Sequence, residues 1–110
     1  MKIRLPKTDK RVIVNEEKGT VVTILTGVDN GVNFKFVGVA KCSPEDTFNE
    51  EIGRIISYKR ARIQMLMAFR SSVRREIKNI RKYMMSAKEA EDTITRKIIN
   101  LKDEINNSVR

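Results

Sequence analysis

The pattern of apolar and polar positions changes its period near residue 42. Before that point, Val12-Ile13-Val14, Thr20 to Thr26 and Val32 to Lys41 are runs rich in β-branched and aromatic residues, the composition of strands. The polar stretch Asn15-Glu16-Glu17-Lys18-Gly19 and the stretch Gly27 to Gly31, with its Asn-Gly pair, separate them as turns. Two hairpins in series predict an antiparallel meander, with Ile3 and Leu5 as a further edge strand ended by Pro6. Val21, Thr23 and Leu25 alternate with Val22 and Ile24, and Phe34 and Phe36 alternate with Lys35 and Val37. Both sheet faces are therefore apolar and need covering.

After residue 42 the period becomes helical. Ser43-Pro44-Glu45-Asp46 combines a capping hydroxyl, a proline at the first helical position and acids at the positive end of the helix dipole. Phe48, Ile52, Ile55, Ile63, Leu66, Val73, Ile77, Ile80 and Met84 then recur at intervals of three or four, or multiples of them, with Gly53 as a weak point. Ser86-Ala87-Lys88-Glu89 has the form of a capping box and predicts a second helix carrying Ile94, Ile98, Leu101 and Ile105. A continuous helix through Met84-Met85-Ser86 is the alternative, because neither Gly nor Pro intervenes. The expected fold is α+β in one domain, 1–110: a sheet over 1–42, a long helix over 43–85 and a second over 86–110. A helix from Pro44 to Met84 would be roughly 60 Å long, whereas a compact domain of this size has a radius of gyration of about 13 Å. The apolar stripes thus call for a partner, most simply a second copy in a homodimer or larger symmetric assembly.

Charge refines this picture. The 110 residues include 23 Lys+Arg and 14 Asp+Glu, a net charge of +9. Residues 53–85 hold ten basic side chains and one acid, Glu76, whereas residues 86–110 balance at five of each. The excess is local, and a local excess points to an anionic partner at that place. Arg70, Arg74, Arg75, Lys78, Arg81 and Lys82 occupy the polar side of the long helix, where Arg forks suit phosphate oxygens. The bland alternative is a solvated helix face, though solubility alone normally intersperses both signs. Phe69 beside Arg70 suggests a ring that stacks on a base, or else one that packs on the sheet or a second subunit; Tyr58 leans towards structure.

The absences limit the chemistry. The chain has no His, one Cys and no Trp. That excludes a Ser-His-Asp triad, a Cys-His pair, a His-ligated metal and an internal disulfide, and it fits a reducing cytoplasm. Cys42 lacks a base or companion thiol, and Glu45, Asp46, Glu50 and Glu51 make no hydrolase site. No phosphate-cradling glycine loop is present. No cofactor, metal or catalytic residue is expected, and no apolar run reaches the roughly 20 residues of a membrane span.

The segment Gly38-Val39-Ala40-Lys41-Cys42-Ser43-Pro44-Glu45-Asp46-Thr47-Phe48-Asn49, with Ile52-Gly53 and Tyr58-Lys59-Arg60-Ala61, resembles small proteins of phages that infect Gram-positive bacteria. With its small sheet followed by long helices, the chain looks most like the anti-Thoeris sponge proteins. That resemblance implies a phage protein acting in the host cytoplasm. It would bind the cyclic ADP-ribose signal made by bacterial TIR-domain enzymes and sequester it without cleavage. It also implies a pocket at a dimer interface, with Phe69 stacking on adenine, Asn79 and Arg96 holding riboses and phosphates, and Lys41 completing the site; the basic segment adds Arg70 and Arg74 as phosphate ligands. Some members of the family form hexamers with a separate site for cyclic oligonucleotides. The rival reading starts from the ten basic residues, more than two phosphates need. A sheet followed by a basic helix also resembles a double-stranded RNA-binding domain without its first helix, or a small phage DNA-binding regulator. A third reading is an inhibitor that presents its helices to an acidic host protein.

Overall fold

The computed structural model describes residues 4–43 and 45–108. Strands β1 (Asp9–Asn15), β2 (Thr20–Asp29) and β3 (Val32–Lys41) form an antiparallel sheet in the order β1-β2-β3, followed by one helix, α1 (Glu50–Ser108). The meander is as the sequence predicts, and β2 is longer than its apolar run. It continues through Gly27 to Asp29 because the turn needs only Asn30 and Gly31, both at positive φ (50° and 77°). That two-residue turn matches the twist of the flanking strands. The β1–β2 turn is closed by Lys18 N–H donating to Asn15 Oδ1 (3.0 Å) and Gly19 N–H donating to Glu16 O (3.1 Å). Leu5 lies outside any strand, and Ile3 is outside the described residues.

Two expectations about the helices are corrected. Ser43 does not cap α1: its Oγ accepts from Glu45 N–H (3.4 Å) and its carbonyl from Asp46 N–H (3.0 Å), which makes a turn. Pro44, the expected first helical residue, is outside the described residues. Asn49 is the cap instead. Its Oδ1 accepts from Ile52 N–H (3.1 Å), and Glu50 and Glu51 follow at the positive end of the dipole. The second correction concerns Ser86, which lies inside α1, so there is one helix where two are expected. A capping box competes with propagation only where something interrupts the backbone ladder. Met84-Met85-Ser86-Ala87-Lys88 contains neither Gly nor Pro, and nucleating a new helix costs more than extending an existing one.

The chain divides into two compact units, Met1–Ser71 and Ser72–Arg110. In the first, α1 covers the sheet face formed by Val21, Thr23 and Leu25 of β2 and Gly38 and Ala40 of β3. The helix side of this contact is Gly53, Ser57, Ala61 and Met65, a row at intervals of four that is buried throughout. Small side chains there allow a close approach. A Cβ on Gly53 would lie 2.6 Å from Val21 Cγ2, and one on Gly38 would run into Ser57 O and Ala61 N. Burying Val21, Leu25 and Met65 stabilises the unit by roughly 1.5–3 kcal/mol each. Phe34, Phe36, Tyr58 and Phe69 pack around Leu25, Ala61 and Met65. Phe69 meets the other two phenylalanines edge-on, at 5.5 and 6.1 Å between centroids.

A polar contact inside this core joins Thr23 Oγ1 and Ser57 Oγ at 2.7 Å, both residues being fully buried, and Ser57 Oγ also donates to Arg54 O at 3.3 Å. Ser57→Ala is expected to cost about 1–3 kcal/mol by leaving the Thr23 hydroxyl without that partner. Thr23→Val together with Ser57→Ala should recover much of the loss. Urea melts of both single variants and the double variant check this, and additive losses would contradict it.

The apolar stripe that the sequence shows does not face the sheet. On a helical wheel it lies roughly opposite the Gly53–Met65 row, at about 100° per residue. Ile52 (53%), Ile63 (56%) and Leu66 (38%) are exposed, and so are Ile77, Ile80 and Met84 beyond them. The stripe keeps a seven-residue repeat through α1. One position carries Ile52, Lys59, Leu66, Val73, Ile80, Ala87, Ile94 and Leu101; the other carries Ile56, Ile63, Arg70, Ile77, Met84, Glu91, Ile98 and Ile105. Such a repeat has the spacing of a coiled-coil seam. In the second unit no described residue is buried, and Val73 alone is half-buried. Roughly 55 Å of helix (72–108, about 1.5 Å per residue) has no apolar cover of its own.

Candidate phosphate-binding face

The residues expected to form one site divide between the two units. Lys41, at the exposed end of β3, borders a cavity of about 270 Å³ shared with Gly19, Cys42, Phe48, Asn49 and Gly53. Cys42 is half-buried there, with Sγ 3.4 Å from Ser43 O and 3.6 Å from Asp46 O. Phe69 is half-buried in the phenylalanine cluster and does not line this cavity. Asn79 and Arg96 lie in the second unit, both exposed. They are seventeen residues apart on α1, roughly 25 Å along the axis. A single chain does not bring Asn79 and Arg96 around one small ligand. Arg96 Nη2 donates to Thr93 Oγ1 at 3.4 Å.

The basic residues also separate by role. Arg60 is structural: its Nη1 donates to Val39 O at 2.7 Å and ties α1 to β3. Arg54 sits 3.7 Å from Glu50, and Lys10 lies over the Tyr58 ring at 5.3 Å, so Tyr58 has the structural role the sequence suggested. Arg70, Arg74, Arg75, Lys78, Arg81 and Lys82 are all exposed. Among the described residues no salt bridge engages any of these six; the ion pairs present are Arg54–Glu50, Lys88–Glu91 and Lys88–Asp92. Arg75 Nη2 donates to Ser72 Oγ at 3.2 Å. Arg70 is itself a seam position and Arg75 and Lys82 lie on the side of α1 away from the seam, whereas Arg74, Lys78 and Arg81 lie on one flank of it. Along that flank Arg74 and Arg81 stand next to the seam itself, one heptad apart. Unpaired guanidinium groups in such a row present forks to phosphate oxygens and repel one another when no anion is present.

Sequence reasoning found this basic row and missed the Gly53–Met65 contact. Among the described residues no helix is long and apolar enough to cross a membrane. Comparison of the chain with known protein families, with curated proteins and with solved structures gives no match.

Proposed function

We propose that this chain is a non-catalytic, self-assembling binder of phosphate-bearing ligands that sequesters a cyclic nucleotide signal. The observation that carries the reading is the group of six exposed basic side chains between Arg70 and Lys82, without acid partners among the described residues, with Arg74, Lys78 and Arg81 flanking an uncovered heptad seam. A second copy on that seam would place Arg74 and Arg81 at the margin of an interface, where a small anion is held by more than one chain. The resemblance to the anti-Thoeris sponge proteins specifies a cyclic ADP-ribose isomer as ligand and a phage anti-defence role in the host cytoplasm. It assigns recognition to Phe69, Asn79, Arg96 and Lys41, and the basic segment adds Arg70 and Arg74. Because Asn79 and Arg96 are roughly 25 Å apart on one helix, their joint action requires residues from two chains. Asn79→Ala and Arg96→Ala, both at exposed positions, are expected to keep the melting temperature of the free protein. Each should lose most of the upward shift that a cyclic ADP-ribose isomer produces. Full shifts in both variants would remove these residues from the site.

A second reading is favoured by the same group, since six basic side chains exceed what two phosphates require. On that reading the chain tracks a nucleic-acid backbone, and affinity for duplex RNA or DNA falls steeply with salt. A gel shift absent at about 50 mM salt would set it aside.

A further inference from the structure

We infer that α1 pairs with α1 of a second copy in antiparallel orientation, Arg70 meeting the partner's Glu91, and that this pairing assembles a four-arginine site for a polyphosphate anion from Arg74 and Arg81 of both chains. The seam carries three charged residues, Lys59, Arg70 and Glu91. A parallel, in-register pair sets each against its own copy, giving three like-charge layers in the core, and like charges in low dielectric repel strongly. An antiparallel pair instead sets one seam position against the other. In the register where the two helix ends coincide, with Glu50 level with the partner's Asn107, Ile77 packs on the partner's Ile80 and Val73 on the partner's Met84. Arg70 falls on the partner's Ala87. The small alanine leaves room for the arginine stem, and the partner's Glu91 is one turn away, about 6 Å along the axis. Two symmetric Arg70–Glu91 pairs then flank the two-fold axis, as a closed isologous dimer requires. In the free chain Glu91 holds only Lys88, at 3.4 Å between exposed side chains, a weak competitor.

The same register decides the flanks. Antiparallel helices set like flanks together, so Arg74 faces the partner's Arg81 and Arg81 the partner's Arg74. Four guanidinium groups gather near the axis on one side. Glu76, the acid nearest in sequence, lies on the opposite flank, level with the partner's Tyr83. An uncompensated cluster of this kind opposes pairing until an anion bridges it. The ligand class follows: a compact anion with several phosphate oxygens, held by forks from both chains. The anion site rests on the proposed phosphate-binding function; the orientation does not.

Spin labels on the full chain test the orientation. Asp103→Cys, on the side of α1 away from the seam, is labelled in a Cys42→Ala background whose melting curve matches the natural chain. Antiparallel pairing predicts an inter-label distance of about 70 Å, whereas parallel pairing places the labels about 20 Å apart. A dominant distance other than about 70 Å, or no dipolar coupling in a chain that sediments as a monomer, overturns the pairing. Arg70→Glu and Glu91→Arg should each weaken dimerisation about tenfold or more, and the double variant should return to within a few-fold of the natural chain. Unchanged dimerisation in either single variant overturns the proposed ion pair. For the anion, inorganic tripolyphosphate at matched ionic strength should tighten the dimer at least about tenfold. Arg74→Gln with Arg81→Gln should abolish that response while tightening the anion-free dimer. No response in the natural chain overturns the four-arginine site and leaves the orientation to the labels. Because tripolyphosphate is the probe, failure to bind a cyclic nucleotide is a separate result.

Discussion

Gly38→Ala is expected to lower the melting temperature of the sheet-bearing unit by on the order of 15 °C. Gly38 is where β3 touches α1 backbone to backbone. A Cβ built there collides with Ser57 O and Ala61 N, and it would approach the Ala61 Cα to 3.0 Å. Flexible side chains can turn aside, but a helix backbone moves only as a whole. Relief would require lifting α1 from the sheet, which breaks the Thr23–Ser57 hydrogen bond and opens the packing around Leu25 and Met65. Overpacking of a well-packed core costs roughly 1–3 kcal/mol and sometimes more. Against unmovable backbone a loss of about 3 kcal/mol is expected, and each kcal/mol lowers the midpoint of a small domain by about 4–8 °C. Circular-dichroism melts at one protein concentration measure this. A shift under about 4 °C would mean that the helix does not lie as close to β3 as described.

The second large effect concerns the seam. Ile77→Ala together with Ile80→Ala is expected to weaken self-association by at least about a thousandfold. Both side chains are nearly half exposed, at 43% and 45%, and stand where the second unit has no cover of its own. In a two-fold pair the double substitution removes four apolar side chains from one patch. At about 1–2 kcal/mol each the loss exceeds 4 kcal/mol, and 1.4 kcal/mol corresponds to tenfold. Alanine has the higher helix propensity, so the isolated helix is not weakened by the change itself. Sedimentation equilibrium over a range of concentrations gives the association constant, and helical content should fall as the chain is diluted. An unchanged constant would show that some other surface joins the copies.

These two variants mark what the sequence made legible and what it hid. The strands were readable because β-branched runs and Asn30-Gly31 carry local signals. The helix stripe was also readable, as a repeat of large apolar residues. Which face of the helix meets the sheet was not. The row that makes the contact, Gly53, Ser57, Ala61 and Met65, is mostly small or polar, and hydrophobic periodicity is blind to it. Its spacing of four, with a glycine facing it from β3, was the available signal. The Ser86 capping box misled because a cap is a local possibility, whereas propagation through Met84–Lys88 is cooperative. Phe69 shows the corresponding limit at the site. It is followed in sequence by Arg70, and its neighbours in space are Phe34 and Phe36, from a strand more than thirty residues earlier. The basic row was legible because charge needs no tertiary contact to be counted.

Calorimetric titration with cyclic ADP-ribose isomers, followed by heating and mass spectrometry of the supernatant, tests the central claim most directly. A tight complex of near-integral stoichiometry is expected, with recovery of the intact cyclic ligand after the protein is denatured. Absence of both heat of binding and thermal stabilisation with every isomer would contradict ligand binding, and recovery of a linear product would contradict sequestration without cleavage.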